Sequence, residues 1–173
     1  MNSAPAHTSR PNPDKLIAIL EQTSAQYRAV LALIRDRREA IRTAAFARFA
    51  PLGNAEQRAV AEIAELDRAR LAESRALAVR LAMKPEAKLS EMATKLGGES
   101  GARLESVRAA LRELIDEVKR ESGIVRQAAE RLSAHMAGIQ QTVHSALAHA
   151  NLYSRGGRIA VGANVMSSLD IKS

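Results

Sequence analysis

A chain of 173 residues with 46% hydrophobic side chains can bury one core, but aromatic residues make up only 2% and tryptophan is absent. The apolar side chains are therefore mainly alanine, leucine, isoleucine and valine, which suit thin contacts between helices. The absence of cysteine excludes a disulfide framework and a cysteine-ligated metal site. No run of about 18 apolar residues is present, so we expect no membrane insertion.

The N terminus is predicted to be disordered over residues 1–12, which are polar and lack the apolar core of a signal peptide. A helix is then expected to start, because Asn12 can cap it, Pro13 suits the first helical position and Asp14 favours the positive helix end. Apolar residues in steps of four and three extend this first helix over 14–49. Pro51 and Gly53 are expected to end it.

The second helix is predicted over 54–83, after a tight turn at Leu52, Gly53 and Asn54. Asn54 with Gln57 has the spacing of a capping box. Lys84 precedes a proline, which disfavours helix there. Two long helices joined by about five residues should lie antiparallel.

A short helix over 89–96 follows, with Ser90 as its expected cap. Gly97, Gly98 and Gly101 predict a flexible corner into a long helix over 102–151. Apolar residues recur along that helix with an average spacing of 3.5, which is typical of a stripe facing a partner helix. Ser122–Gly123 interrupts the stripe, either as a tolerated small-residue crossing or as a functional bend.

Together these elements predict an all-α fold: an elongated antiparallel helical bundle or coiled coil of long helices with one short helix. A single helical domain would span 13–151, and 152–173 would form a flexible C-terminal tail. The expected core residues lie on all three long helices: Leu20, Tyr27, Ile34, Ile63, Leu77, Leu111, Val118, Val125 and Leu132.

Catalytic and metal-binding patterns are not found in the sequence. His144 and His149 are five residues apart without a nearby carboxylate, which does not fit zinc ligands on a helix. Gly156–Gly157 lies between two arginines but lacks the strand–loop–helix context of a phosphate loop, and favours a helix stop instead. We therefore expect no enzyme, no metal and no cofactor.

The net charge of +7 leaves a second class of protein open, a basic coiled-coil structural or nucleic-acid-associated protein. The densest basic cluster is Arg35, Arg37 and Arg38, with Arg42 following. No concentrated basic stripe or set of stacking aromatics accompanies it. Charge pairs on a solvated helix face explain the cluster better, so no nucleic-acid partner is expected.

The order of parts resembles the FlgN family of flagellar type III export chaperones. The matching parts are 89–96, 104–136, the corner Leu152-Tyr153-Ser154-Arg155-Gly156-Gly157-Arg158, and the end Ser168-Leu169-Asp170-Ile171. The chain departs from the family at Glu121-Ser122-Gly123, where members often carry asparagines. The resemblance implies a cytoplasmic chaperone that binds hook–filament junction (hook-associated) proteins, masks their terminal helices and delivers them to the export gate.

The partner surface is expected near the end of the long helix, because the predicted first helix covers it only to about residue 138. Apolar residues beyond that point must be buried by something. The candidate contacts on the helix are Ile139, Val143, Leu147, Leu152 and Tyr153. The tail would add to this surface or shield it through Ile159, Val161, Leu169 and Ile171. Self-association through the C-terminal end is the alternative.

Overall fold

The computed structural model describes the backbone of residues 12–153 and the side chains of residues 12–148. Its elements are α1 (Asp14–Arg42), one turn of 3₁₀ helix (Phe46–Arg48), α2 (Phe49–Arg80), α3 (Leu89–Leu96) and α4 (Gly98–Tyr153). No strand occurs within this part of the chain, which confirms the all-α prediction. The predicted disordered residues 1–11 and most of the predicted tail, 154–173, lie outside the described residues.

α1 begins at Asp14, one residue after the predicted first helical position, and Pro13 is its N-cap residue. The side-chain oxygen of Asn12 accepts a hydrogen bond from the backbone N–H of Asp14 at 2.7 Å. The carbonyl of Pro13 accepts the first helical hydrogen bond, from the N–H of Ile17 at 2.9 Å. Asn12 therefore satisfies a backbone donor that the helix itself leaves without a partner.

The predicted boundary between the first two helices is wrong. α1 ends at Arg42, and Ala44 takes a positive φ of 53° that breaks the helix. Pro51, Gly53 and Asn54 lie inside α2 rather than in a turn. Proline is tolerated there because the N–H groups of a helix's first turn have no intrahelical partner to lose.

The N-cap residue of α3 is Lys88 rather than the expected Ser90, and the backbone N–H of Lys88 donates to the Glu91 carboxylate at 3.2 Å.

The connection from α3 into α4 also differs from the expected flexible corner. Gly97 and Gly98 have φ values of 62° and 53°, which favour glycine. A Cβ at Gly101 would overlap the carbonyl oxygen of Ala93. These glycines are therefore required by a tight connection, and α4 begins at Gly98.

Ion pairs define the directions of the helices within residues 12–128. Arg35–Glu117, Arg38–Glu121 and Glu21–Arg103 join α1 to α4 with sequence separations of 82, 83 and 82. A constant separation means that α1 and α4 run parallel. Between α1 and α2, Lys15 pairs with Glu73 and Arg37 with Glu56, so these helices are antiparallel, as predicted.

The core of this unit consists of two clusters. The larger joins all four helices and includes Leu20, Leu77 and Leu111 as predicted; the smaller contains Ile34 and Val125. Tyr27, Ile63 and Val118 are partly buried against them. α3 also contributes Met92, which is fully buried and was not among the predicted core residues. Leu132 is half-buried and belongs to neither cluster, so its assignment to the core is wrong.

The cover that α1 gives to α4 ends earlier than expected. The separation of 82–83 residues places Arg42, the last residue of α1, level with Ile124 and Val125. Val125 is also the last buried residue of α4 in the described chain. The predicted limit near residue 138 is too far along the helix for two reasons. α1 ends at Arg42 and not at residue 49, and α1 pairs with α4 at a separation of 82–83 residues, not the 88 that the predicted helix starts imply.

The chain divides into two compact units at Ala128 and Ala129. In the second unit the described residues, up to Tyr153, form the last turns of α4. Every described side chain from Ser133 to Ala148 is exposed.

Candidate partner-binding surface

A row of apolar side chains is exposed on the second unit's part of α4. Its members are Met136, Ile139, Val143 and Leu147, with exposed fractions of 44%, 45%, 50% and 57%. Steps of three and four residues place them on one side of the helix. We call these four residues the distal face. Their spacing is that of the seam by which one helix packs against another.

The surroundings of the distal face are unusually free of charge. Residues 132–154 contain no lysine, arginine, aspartate or glutamate. The hydroxyl groups of Thr142 and Ser145 donate to the carbonyls of Gly138 and Gln141, both at 2.9 Å, and are thus satisfied within the helix. A partner bound on this segment would therefore make apolar contacts more than ion pairs.

A notch at Gly138 gives the surface its shape. The shallow, open concavity beside Gly138 is bordered by His135, Ile139, Thr142 and Val143. Two of the four distal-face residues line this notch. A protruding side chain of a partner helix would fit there between neighbouring turns of α4, as a knob fits into a hole.

The structure brings together three of the predicted contacts, Ile139, Val143 and Leu147. Met136 belongs with them and was not assigned to the site, although the 3.5-residue spacing that identified the stripe includes it. For Leu152 and Tyr153 the backbone is helical, and their side chains lie outside the description. The predicted tail contacts Ile159, Val161, Leu169 and Ile171 lie outside the described residues.

The basic cluster near the end of α1 is occupied by carboxylates. Arg35, Arg37 and Arg38 pair with Glu117, Glu56 and Glu121 at 2.6–2.7 Å, all on other helices. Arg42 pairs with Glu39, three residues away on α1. A phosphate would have to displace these carboxylates, which favours a structural role for the cluster.

The shifted pKa values of acidic groups also belong to structural pairs. Hydrogen bonds from Arg42 and Arg108 lower the pKa of the Glu39 and Glu105 carboxyls. A hydrogen bond from Arg80 is the largest cause of the lowered pKa of Glu73. Within residues 12–148, no three His, Cys, Asp or Glu side chains are grouped so that they could hold a metal ion. No described helix is long and apolar enough to cross a membrane.

A comparison with protein-family models matches residues 12–160 to the model described as FlgN protein. The match covers every described helix. Comparisons with curated proteins and with solved structures gave no significant match.

Proposed function

Since this chain belongs to the FlgN family of flagellar export chaperones, we propose that it binds hook–filament junction proteins in the cytoplasm before their export. In this proposal the distal face holds a terminal helix of the client. The chaperone masks that helix and delivers the client to the export gate.

The proposal is supported mainly by the exposure of the distal face. Four apolar side chains, each about half exposed, lie in a row from Met136 to Leu147. At a rise of about 1.5 Å per residue the row is roughly 17 Å long, or three helical turns. Burying apolar surface contributes about 25 cal/mol per Å². An amphipathic client helix laid along this row would bury it by the helix-in-groove mode of recognition.

A charged substitution in the centre of the row provides the test. Val143→Glu should weaken the binding of a purified hook–filament junction protein by about tenfold or more, because a central, desolvated contact dominates such an interface. Titration calorimetry measures the affinity. The melting temperature should stay unchanged, since Val143 is 50% exposed and buries little on folding.

Val79→Glu is the matched control, because Val79 is also an exposed valine, 66% exposed, but lies on α2 and not on α4. It should bind the client as the unchanged chain does. If Val143→Glu keeps full affinity, or if it unfolds the protein, the assignment of the distal face is wrong.

Self-association through the same row is the alternative occupant. An exposed apolar row of this kind amounts to on the order of a few hundred Å². A stable dimer usually buries about 800 Å² on each partner. We therefore expect a monomer at micromolar concentration in sedimentation. A tight dimer that Val143→Glu dissociates, with client affinity unchanged, would assign the row to self-association instead.

Nucleic-acid binding is the other function that the basic net charge raises. The occupied arginines of α1 and the uncharged segment 132–154 both argue against it. Any weak association with duplex DNA should disappear steeply with salt and show no saturable stoichiometry, as expected for phosphate contacts alone.

A further inference from the structure

A second apolar concavity lies in the first unit, between α2 and α4. It has a volume of about 730 Å³. Its apolar lining includes Tyr27 from α1, Ile63 from α2, and Leu111 and Ile115 from α4. Val60, 52% exposed on α2, also lines it. We call this concavity the α2–α4 groove.

The dimensions of the groove match a helix. Its lining on α2 runs from Val60 to Arg70 and its lining on α4 from Arg108 to Lys119. At about 1.5 Å per residue these stretches are roughly 15–17 Å long, three helical turns. α1, α2 and α4 already pack as three neighbouring helices, and a fourth laid in the groove would complete a four-helix arrangement.

The charges around the groove indicate which kind of helix fits. Four cations line it, Arg70, Arg108, Arg112 and Lys119, against two carboxylates, Asp67 and Asp116. Arg70 and Lys119 pair with these carboxylates at 2.7 and 3.7 Å, and Arg108 pairs with Glu105 of its own helix.

Arg112 is the remaining cation of the groove, and no ion pair joins it to another residue in the described part of the chain. It lies on α4 between Leu111 and the Asp116–Lys119 pair. A carboxylate on the occupant would therefore find an available partner beside the apolar floor.

We propose that the α2–α4 groove binds an amphipathic helix of another protein, with an apolar stripe about three turns long and acidic residues along its edge. The apolar stripe would cover Ile63, Leu111 and Ile115, and the acidic edge would face Arg112. The groove shares no residue with the distal face, so the chain would have two helix-binding surfaces for two different partners.

A designed peptide tests the proposal on the full chain. The probe is a capped, fluorescein-labelled helix of about 14 residues, with leucines in steps of three and four and glutamates flanking them. The control peptide has the same sequence with every glutamate replaced by lysine. Fluorescence anisotropy at low salt should show the acidic peptide binding about tenfold more tightly or better than the basic one.

Two substitutions locate the binding. Val60→Glu and Arg112→Glu should each weaken the acidic peptide by about fivefold or more, the first by introducing a carboxylate to the groove and the second by reversing a cation. Val79→Glu on α2 and Arg120→Glu on α4 are matched controls outside the groove and should leave binding unchanged. All four positions are exposed, so folding should persist.

The outcomes separate this proposal from the one for the distal face. Equal binding of the two peptides, or binding that Val143→Glu weakens and Val60→Glu does not, would overturn the groove proposal. A dimer of the chain that Val60→Glu dissociates would assign the groove to a second copy and also overturn it. Val60→Glu should leave the affinity for the hook–filament junction protein intact.

Discussion

Glu73 lies between two cations on the buried side of α2. The residue is 8% exposed; Arg80 donates to its carboxylate at 2.8 Å and the Lys15 ammonium lies 3.1 Å away. The hydrogen bond from Arg80, with a further one from Lys15, holds the pKa of the Glu73 carboxyl below its usual range against the opposing effect of burial. A carboxyl with a lowered folded-state pKa stabilises the fold when it is ionised.

Replacing this carboxyl by an amide should therefore destabilise the protein in a pH-dependent way. We expect Glu73→Gln to lower the free energy of unfolding by about 1 kcal/mol at pH 7. The contribution of Glu73 is present above the unfolded-state pKa of about 4.3 and is lost as pH falls through the lower, folded-state pKa. The difference between the two proteins in urea unfolding should thus shrink at acidic pH.

Glu65→Gln is the control, because Glu65 is exposed and pairs with the exposed Arg68 of the same helix at 2.9 Å. Its effect should stay below about 0.5 kcal/mol. A difference for Glu73→Gln that is the same at pH 7 and at pH 3 would show that charge is not what Glu73 contributes.

Two glycines of α4 should respond to alanine in opposite directions. A Cβ at Gly101 would overlap the Ala93 carbonyl oxygen, so Gly101→Ala should destabilise by about 1–3 kcal/mol. A Cβ at Gly123 meets nothing within 4 Å, so Gly123→Ala should stabilise by up to about 1 kcal/mol. Urea unfolding followed by circular dichroism measures both changes.

The client affinity of Gly123→Ala decides whether Gly123 is a functional bend. If Gly123→Ala is more stable and binds the client normally, the glycine is a tolerated small residue. If client affinity falls while stability rises, α4 needs to bend there. Stabilisation by Gly101→Ala would contradict the tight α3–α4 connection.

The helix boundaries differ in how accurately they could be predicted from the sequence. α3 was predicted with both ends correct, because Pro85 precedes it and Gly97 follows it. The α1–α2 boundary was wrong because a proline ends one helix or begins the next with equal ease. Ile139, Val143 and Leu147 of the distal face could be predicted because their spacing is local to one helix. The α2–α4 groove could not, because it depends on the register of three helices.

Across the whole molecule, charge and apolar surface are distributed unevenly along the chain. The first unit holds its helices with ion pairs such as Arg35–Glu117 and Lys15–Glu73 around two buried clusters. The segment 132–154 has no charged side chain, and its described residues from Ser133 to Ala148 are all exposed. This division assigns fold stability to one part and, in the proposed function, client recognition to the other.

Site-specific cross-linking tests that division most directly, since the natural chain has no cysteine and a single introduced one is a unique attachment point. Val143→Cys and the control Val79→Cys would each carry a benzophenone and be irradiated with a purified hook–filament junction protein. We expect a cross-linked complex from residue 143, with the client peptide coming from a terminal helix, and none from residue 79. Equal cross-linking at both positions, or none at residue 143 with saturating client, would contradict this expectation.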